Sequence, residues 1–424
     1  MSEEHAMATI IGGSGRQILK GTPSTDRIFG DTSGAYSFQS GGDDKLYGYN
    51  GSDTLYGDAL RLTGTALGGK DLFYGGNGND TIYGDALQLR DYATGGSDTL
   101  YGQSGNDHLY GDAKYLYQKA HGAGDRLVGG DGIDTLYGDG VALFNYAVGG
   151  NDILSGDRGK DTLYGDSYRL EGRSSGGNDS LSGGDGVDFL YGDAKYMKYA
   201  SKGGNDQLIG GSDGDSLFGD GVRMTDHSVG GSDTLFGETG DDALYGDAYY
   251  MGSATHGGND SLIGADGNDT IFGDAYKIEY NGRSGADTLS GGAGDDALYG
   301  DDFQDGSTTI ISSVLGGNDR IDGGTGNDFL AGGLGSDVFV FHKWDGRDVI
   351  WDFCGTASKI PQGDKIDLSD WHFASFDQLT PYIHYNSLDT GAVTIDLPEG
   401  QTIILLPVGN NGGIQQLTAA DFIL

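Results

Sequence analysis

From residue 26 to about 318 the chain repeats one pattern of apolar and polar positions every 27 residues. An Asp opens each repeat, at 26, 53, 80, 107, 134, 161, 188, 215, 242, 269 and 296; Leu or Ile follows two residues later, then Tyr or Phe, Gly and a second Asp. Three columns are apolar. One runs Ile28, Leu55, Ile82 and on to Leu298, a second Leu46, Phe73, Leu100 and on to Leu289. The third runs Leu62, Leu89, Leu116, through Met251 to Ile278, with Ala35 in the first coil. A fixed period of this length is the signature of a stacked solenoid. Side chains alternate faces along a strand, so one inward residue per short strand is what a narrow core can hold. The expected fold is all-β: an elongated parallel β-roll or β-solenoid of 27-residue coils, capped by a small C-terminal β domain.

Two coil geometries satisfy this pattern, a three-sided ring of 27 residues or a two-sided roll with a long excursion after each Tyr-Gly-Asp-Ala. Loose excursions tolerate insertions, yet these segments keep their length through nine repeats and keep an apolar residue in one place. That favours a regular third side. The aromatic column Phe29, Tyr56, Tyr83, Tyr110 and on to Tyr299 follows the inward Leu or Ile, so it should face outward. It reads as a ladder stacked on itself, with a flat platform for sugar rings as the other reading.

The acidic residues change the picture most. Besides the leading Asp, a second column stands five residues on (Asp31, Asp58, Asp85 to Asp301) and a third eighteen residues on (Asp44, Asp71, Asp98 to Asp287). Together they hold 32 of the 64 Asp and Glu. In a solenoid each such Asp lies over another at the strand spacing of about 4.8 Å. Two carboxylates at that distance repel by about 0.9 kcal/mol in water and about 3.5 kcal/mol at an effective dielectric of about 20. Exposed carboxylates do not protonate at neutral pH, and 25 Lys and Arg do not neutralise a net charge of -39. A hard cation with oxygen ligands offsets the repulsion, and Ca²⁺ accepts the mixed carbonyl and carboxylate shells that Gly-Asp turns offer.

The turns carry a recognisable motif. Gly75-Gly76-Asn77-Gly78-Asn79-Asp80, Gly183-Gly184-Asp185-Gly186-Val187-Asp188 and Gly291-Gly292-Ala293-Gly294-Asp295-Asp296 match Gly-Gly-x-Gly-x-Asp-x-apolar-x, the nonapeptide that binds Ca²⁺ in RTX proteins. The chain thus resembles the RTX family, in which turn carbonyls and the Asp of one coil share an ion with the next coil in a parallel β-roll. The candidate metal ligands are Asp53, Asp80, Asp107, Asp134, Asp161, Asp188, Asp242, Asp269 and Asp296 of the leading column. The third column adds Asp44, Asp71, Asp98, Asp125, Asp152, Asp179, Asp206, Asp233, Asp260 and Asp287, and the plain nine-residue spacing that follows adds Asp319, Asp328 and Asp337. The second column is as well suited to turn-capping Asx hydrogen bonds as to metal. Two turns should bind poorly: Gln17 stands where the first turn wants Asp, and Asp213 where the turn before Asp215 wants Gly. The 27-residue period and three apolar columns depart from the usual two-sided RTX roll.

Four segments follow. Residues 1–25 are a tail and a degenerate capping coil, 26–318 the 27-residue solenoid, 319–337 nine-residue RTX repeats, and 338–424 a C-terminal β domain. Glycines thin out after 338, and alternating runs such as Val338-Phe339-Val340-Phe341 and Thr402 to Leu406 read as strands. This segment, with Gly363-Asp364-Lys365-Ile366-Asp367-Leu368 and the ending Asp421-Phe422-Ile423-Leu424, resembles the C-terminal domain of serralysin-type exported RTX proteins. The resemblance implies an uncleaved type I secretion signal at the extreme C-terminus.

Several function classes recede. No N-terminal signal peptide is visible, no stretch is apolar enough to span a membrane, and Cys354 is alone, so there is no disulfide framework. The negative net charge argues against nucleic acid, and no catalytic constellation stands outside the repeats. His121 and His256 share a repeat position that other coils fill with Leu, Thr, Val or Lys, so they read as loop residues. The expected protein is a secreted, non-enzymatic Ca²⁺-binding solenoid acting at the cell surface or in matrix. Its expected partners are Ca²⁺, the type I secretion apparatus and extracellular polysaccharide or a cell surface. A lectin-like or polysaccharide-modifying protein is the alternative.

Overall fold

A computed structural model describes residues 7–37, 40–279, 281–303, 315–354, 363–385, 392–406 and 416–424. It divides into two compact units, 1–231 and 232–424. In the first unit each 27-residue repeat forms three strands, as in Thr54–Tyr56, Ala59–Thr63 and Leu72–Asn77. We call the three stacks the first, second and third sides. Within each side strands pair in parallel with the residue 27 positions on: Leu55 with Ile82, Leu62 with Leu89, Leu46 with Phe73. The long segment after Tyr-Gly-Asp-Ala is therefore a regular side. In the first coil, however, Tyr36 rather than Ala35 lies beside Leu62.

All three apolar columns are fully buried, Leu55, Leu62 and Leu100 among them. Small residues complete the interior. Ala59, Ala86 and Ala113 begin the second side, and Ala66, Ala93, Ala120 and Ala147 close its far corner, all at 0% exposure. A sharp corner leaves room for little more than a methyl. Where later coils place Ser there, the hydroxyl folds back on the backbone, with Ser174 Oγ donating to the Glu171 carbonyl at 2.8 Å.

The first unit begins with a narrower ring. Ala8–Ile11 pairs with Asp26–Phe29 only 18 residues on, Ile10 beside Ile28, and has no second-side strand. The second unit narrows likewise. Its second side ends with Ala275–Ile278, and Arg320 then pairs with Val338 at an 18-residue step. The longer excursion between these points lies largely outside the described residues, which omit 304–314. Beyond 338 the first and third sides continue through Arg347–Ile350 and Lys365–Asp367. An antiparallel hairpin, Ile383–Tyr385 with Val393–Asp396, then stacks on Thr402–Leu405. Antiparallel pairing at the last coil covers an open parallel edge that would otherwise template further strands.

The aromatic column differs from its expectation. These rings do leave the coil interior, but most are buried, Phe29 at 1% exposed and Tyr110 at 5%, while Tyr137, Tyr245 and Tyr299 are half-buried. They stack face to face, Phe29 on Tyr56 at 4.7 Å and Tyr83 on Tyr110 at 4.7 Å. Second-side residues Leu60, Leu87 and Val141 pack over the ladder, and in other coils a Tyr edge does so, as Tyr168 over Tyr164 at 6.0 Å. With faces against neighbouring rings and edges covered, the ladder is no sugar platform. It is a second core lying in the crease between two sides. Tyr110→Ala is expected to cost about 3 kcal/mol, the lower end for deleting a buried aromatic ring. A urea titration at constant Ca²⁺ checks this, and an unchanged midpoint counts against the ladder's role.

Candidate metal centre

All 22 predicted ligands are buried, and they line two columns. Within each unit the leading column's backbone N–H groups donate to Oδ1 of the Asp one coil on: Asp53 to Asp80 at 2.8 Å, Asp80 to Asp107 at 2.7 Å, Asp107 to Asp134 at 2.7 Å, and Asp242 to Asp269 at 2.9 Å. The third column does the same, as Asp71 to Asp98 and Asp98 to Asp125, both at 2.7 Å. Asp319 and Asp337 extend the third column and Asp328 the leading one. One carboxylate oxygen of each Asp is thus fixed by the backbone of its neighbour. The other oxygen, Oδ2 of Asp53, Asp80, Asp107, Asp134 and Asp161 and equally of Asp71, Asp98, Asp125 and Asp152, is buried with no hydrogen bond. Leaving one such oxygen unsatisfied costs roughly 1–3 kcal/mol, more when charged.

Glycine determines where those oxygens point. A methyl built on Gly75 would sit 2.5 Å from Asp80 Oδ2 and 2.7 Å from the Gly102 carbonyl oxygen of the next coil. At Gly156 the same probe meets Asp161 Oδ2 at 2.5 Å and the Gly183 carbonyl at 2.6 Å. The third column repeats this under the Gly of Tyr-Gly-Asp: at Gly30 the probe lies 2.5 Å from Asp44 Oδ2, close against the Gly57 carbonyl. A side chain would fill these clefts. Glycine leaves them lined by one carboxylate oxygen and carbonyls from adjacent coils, all oxygen donors of the kind Ca²⁺ takes. Among the described residues no three acidic, His or Cys side chains converge on one point, so a cation here takes most of its oxygens from backbone. That is the donor set Ca²⁺ accepts, and the residues fit the ion.

The second column, left open between capping and ligation, makes the capping hydrogen bonds. Asp58 accepts from the Gly69 N–H at 3.0 Å and Asp166 from the Gly177 N–H at 2.8 Å, which closes the loop of the second side. Its remaining oxygens, such as Asp58 Oδ1 and Asp166 Oδ2, have no partner, and they face the third column. Burial first, and then the carboxylates of Asp98 and Asp58, hold Asp85 well above the usual carboxylate range. For Asp125 burial is followed by Asp152 and Asp98. Second- and third-column carboxylates therefore lie within electrostatic reach of one another and raise each other. Sequence alone did not join them, because 13 residues and a full strand separate Asp58 from Asp71.

Other acids extend the columns past 337. Asp348 accepts from the Asp328 N–H and Asp364 from the Asp337 N–H, both at 3.1 Å. Asp352 takes the second-column role, accepting from Gly332 and Gly333. Uneven spacing hid them, although Asp348-Val349-Ile350 and Asp364-Lys365-Ile366 keep the Asp-x-apolar signature. Asp26, outside the candidate set, heads the leading column, but its Oδ2 already accepts the Thr22 N–H. Gln17 lies at a third-column position, where its Nε2 donates to the Gly13 carbonyl at 2.5 Å. Asp213 adopts φ +75° where Gly78 and Gly105 sit at +127° and +136°, so its turn carbonyl is aimed differently.

The model of the RTX calcium-binding nonapeptide repeat matches residues 40–59, 63–86, 92–113, 121–140, 146–167, 173–194, 227–248, 255–275, 280–306 and 314–340, more than half of the chain. No curated protein matches it.

Proposed function

Because the chain belongs to the RTX calcium-binding nonapeptide repeat family, we propose that it is a secreted, non-enzymatic protein whose coils close around Ca²⁺ outside the cell, where it serves as a structural or adhesive element. The observation carrying this reading is the array of buried, unpartnered Asp oxygens aimed into glycine clefts. When bound, Ca²⁺ supplies the positive charge that lets like carboxylates stack. The chain's own part is to orient them: each backbone N–H fixes one oxygen and each glycine clears space beside the other. With most of its rings buried, the tyrosine ladder lends no support to a lectin built on that column.

Export is supported by the C-terminal tail. Thr418 caps the turn that holds buried Asp421, accepting from the Ala420 N–H while Asp421 accepts from the Thr418 N–H, and Phe422–Ile423 pairs with Ile366 and Asp367. A tail docked in a sheet cannot be threaded, so a secretion signal here is read before folding. The low Ca²⁺ of a cytosol, against the roughly 10⁻⁴–10⁻³ M dissociation constants of extracellular modules, keeps it unfolded until then. Deleting Asp421–Leu424 is expected to leave the protein in the cell fraction of a strain carrying a type I exporter. Undiminished appearance in the medium overturns the export reading.

A further inference from the structure

The net charge of -39 is not a surface charge. At least forty of the 64 acidic residues are buried Asp, while among the described residues no Lys or Arg is buried. The first unit shows the consequence. Between residues 7 and 231 only eight acidic residues reach the exterior, against 18 Lys and Arg. Once cations neutralise the buried Asp, this exterior is positive. The argument from net charge against anionic partners, valid for the bare sequence, therefore does not describe this surface.

The cations are also gathered. More than half of the 18 lie on the second side or the turn leading from it. Many rest against exposed or half-buried tyrosines: Arg90 over Tyr117 at 4.7 Å, Lys119 over Tyr92 at 5.3 Å, Lys114 over Tyr115 at 5.8 Å, Lys198 over Tyr196 at 5.8 Å. A cation held over a ring keeps its charge and its outer N–H groups. Arg169 is paired with Glu171 at 2.6 Å.

We propose that the second side of the first unit is a docking surface for a linear anionic polysaccharide, a chain of carboxylated sugars. Charge spacing selects this class. The surface averages little more than one cation per coil step of about 4.8 Å, from none in the coil of Gly140–Phe144 to three at Lys195, Lys198 and Lys202, whereas duplex DNA presents a charge every 1.7 Å or so. A uronic-acid polymer carries one carboxylate per ring, and a ring is about as long as a coil step. The match is of one sparse charged lattice with another. It rests on the calcium reading, because only with the Asp columns neutralised does the exterior set the field.

The test uses the full chain loaded with Ca²⁺ and a short oligogalacturonate that stays soluble with the metal. Circular dichroism first establishes the Ca²⁺-folded state, so failure of the calcium reading appears there and not in binding. The folded protein is expected to bind the oligogalacturonate, to ignore a neutral dextran of equal length, and to bind more weakly as salt rises. Lys114→Glu, Lys119→Glu, Lys195→Glu and Lys198→Glu together should weaken binding at least tenfold with the dichroism spectrum unchanged. Lys→Gln at the same four positions serves if charge reversal prevents folding, and should also weaken it. Absence of binding by the folded parent, equal binding of dextran, or unaltered binding by the variants overturns the proposal. Tighter binding of duplex DNA assigns the face to nucleic acid. A change in sedimentation alone assigns it to a second copy of the chain, and either result overturns the proposal as well.

Discussion

Purified protein held in chelator at pH 8 is expected to show the circular dichroism of a disordered chain, and millimolar Ca²⁺ to convert it to β-structure over a narrow concentration range. Without metal, each coil added to the stack brings another buried oxygen of the leading and third columns against its neighbour, and stacking is opposed at every step. Ions that bind only the folded state contribute RT ln(1+[L]/Kd) per site, about 1.4 kcal/mol each at ten times Kd. Coils touch only their neighbours, so an ordered coil templates the next. Many weak sites then act together, and the transition is steep. A β-signal that survives exhaustive chelation at this pH overturns the calcium reading.

Acidification is expected to fold the metal-free chain and to strip the ions from the calcium-loaded one. In the metal-free folded chain, burial raises Asp80, Asp134 and Asp161 to about 7, Asp348 to about 8 and Asp319 to about 9, from an ordinary value of 3.8. The folded state therefore holds more protons than the unfolded one between about pH 4 and these values. Linkage then makes stability fall as pH rises across that window. The contribution is whole below the unfolded pKa and is lost as pH climbs through 6 to 9. Chelated protein should accordingly regain β-structure when taken from pH 8 to pH 5. Calcium-loaded protein should release its ions on the same change, because protons and Ca²⁺ compete for one oxygen, yet keep its β-structure, because the protonated columns stack without metal. Parallel pH titrations of ellipticity with chelator and with Ca²⁺ test this. Curves that fall together on acidification would show that the columns do not titrate as a buried set.

Repetition made much of this molecule legible. A 27-residue period leaves one way to superpose like residues, so the parallel register of Leu55 on Ile82, the three apolar columns and the two predicted Asp columns follow from spacing alone. Glycine identities announced the turns for the same reason, since only a residue without Cβ leaves a cleft beside Asp80. Asp348, Asp352 and Asp364 escaped because the C-terminal segment breaks the period while keeping the stacking.

What the tertiary structure decided concerns contacts between sides of the ring, which no column contains. Period and alternation send Tyr110 out of the interior, but only the fold brings the second side over it and turns an apparent surface ladder into a core. Asp58 and Asp71 belong to different columns, and their approach to one another depends on how the chain rounds a corner. Net charge is a sum over residues and carries no position. Placing most of the acids inside is a property of the closed coil, and it removes most of the negative charge from the surface that a partner meets.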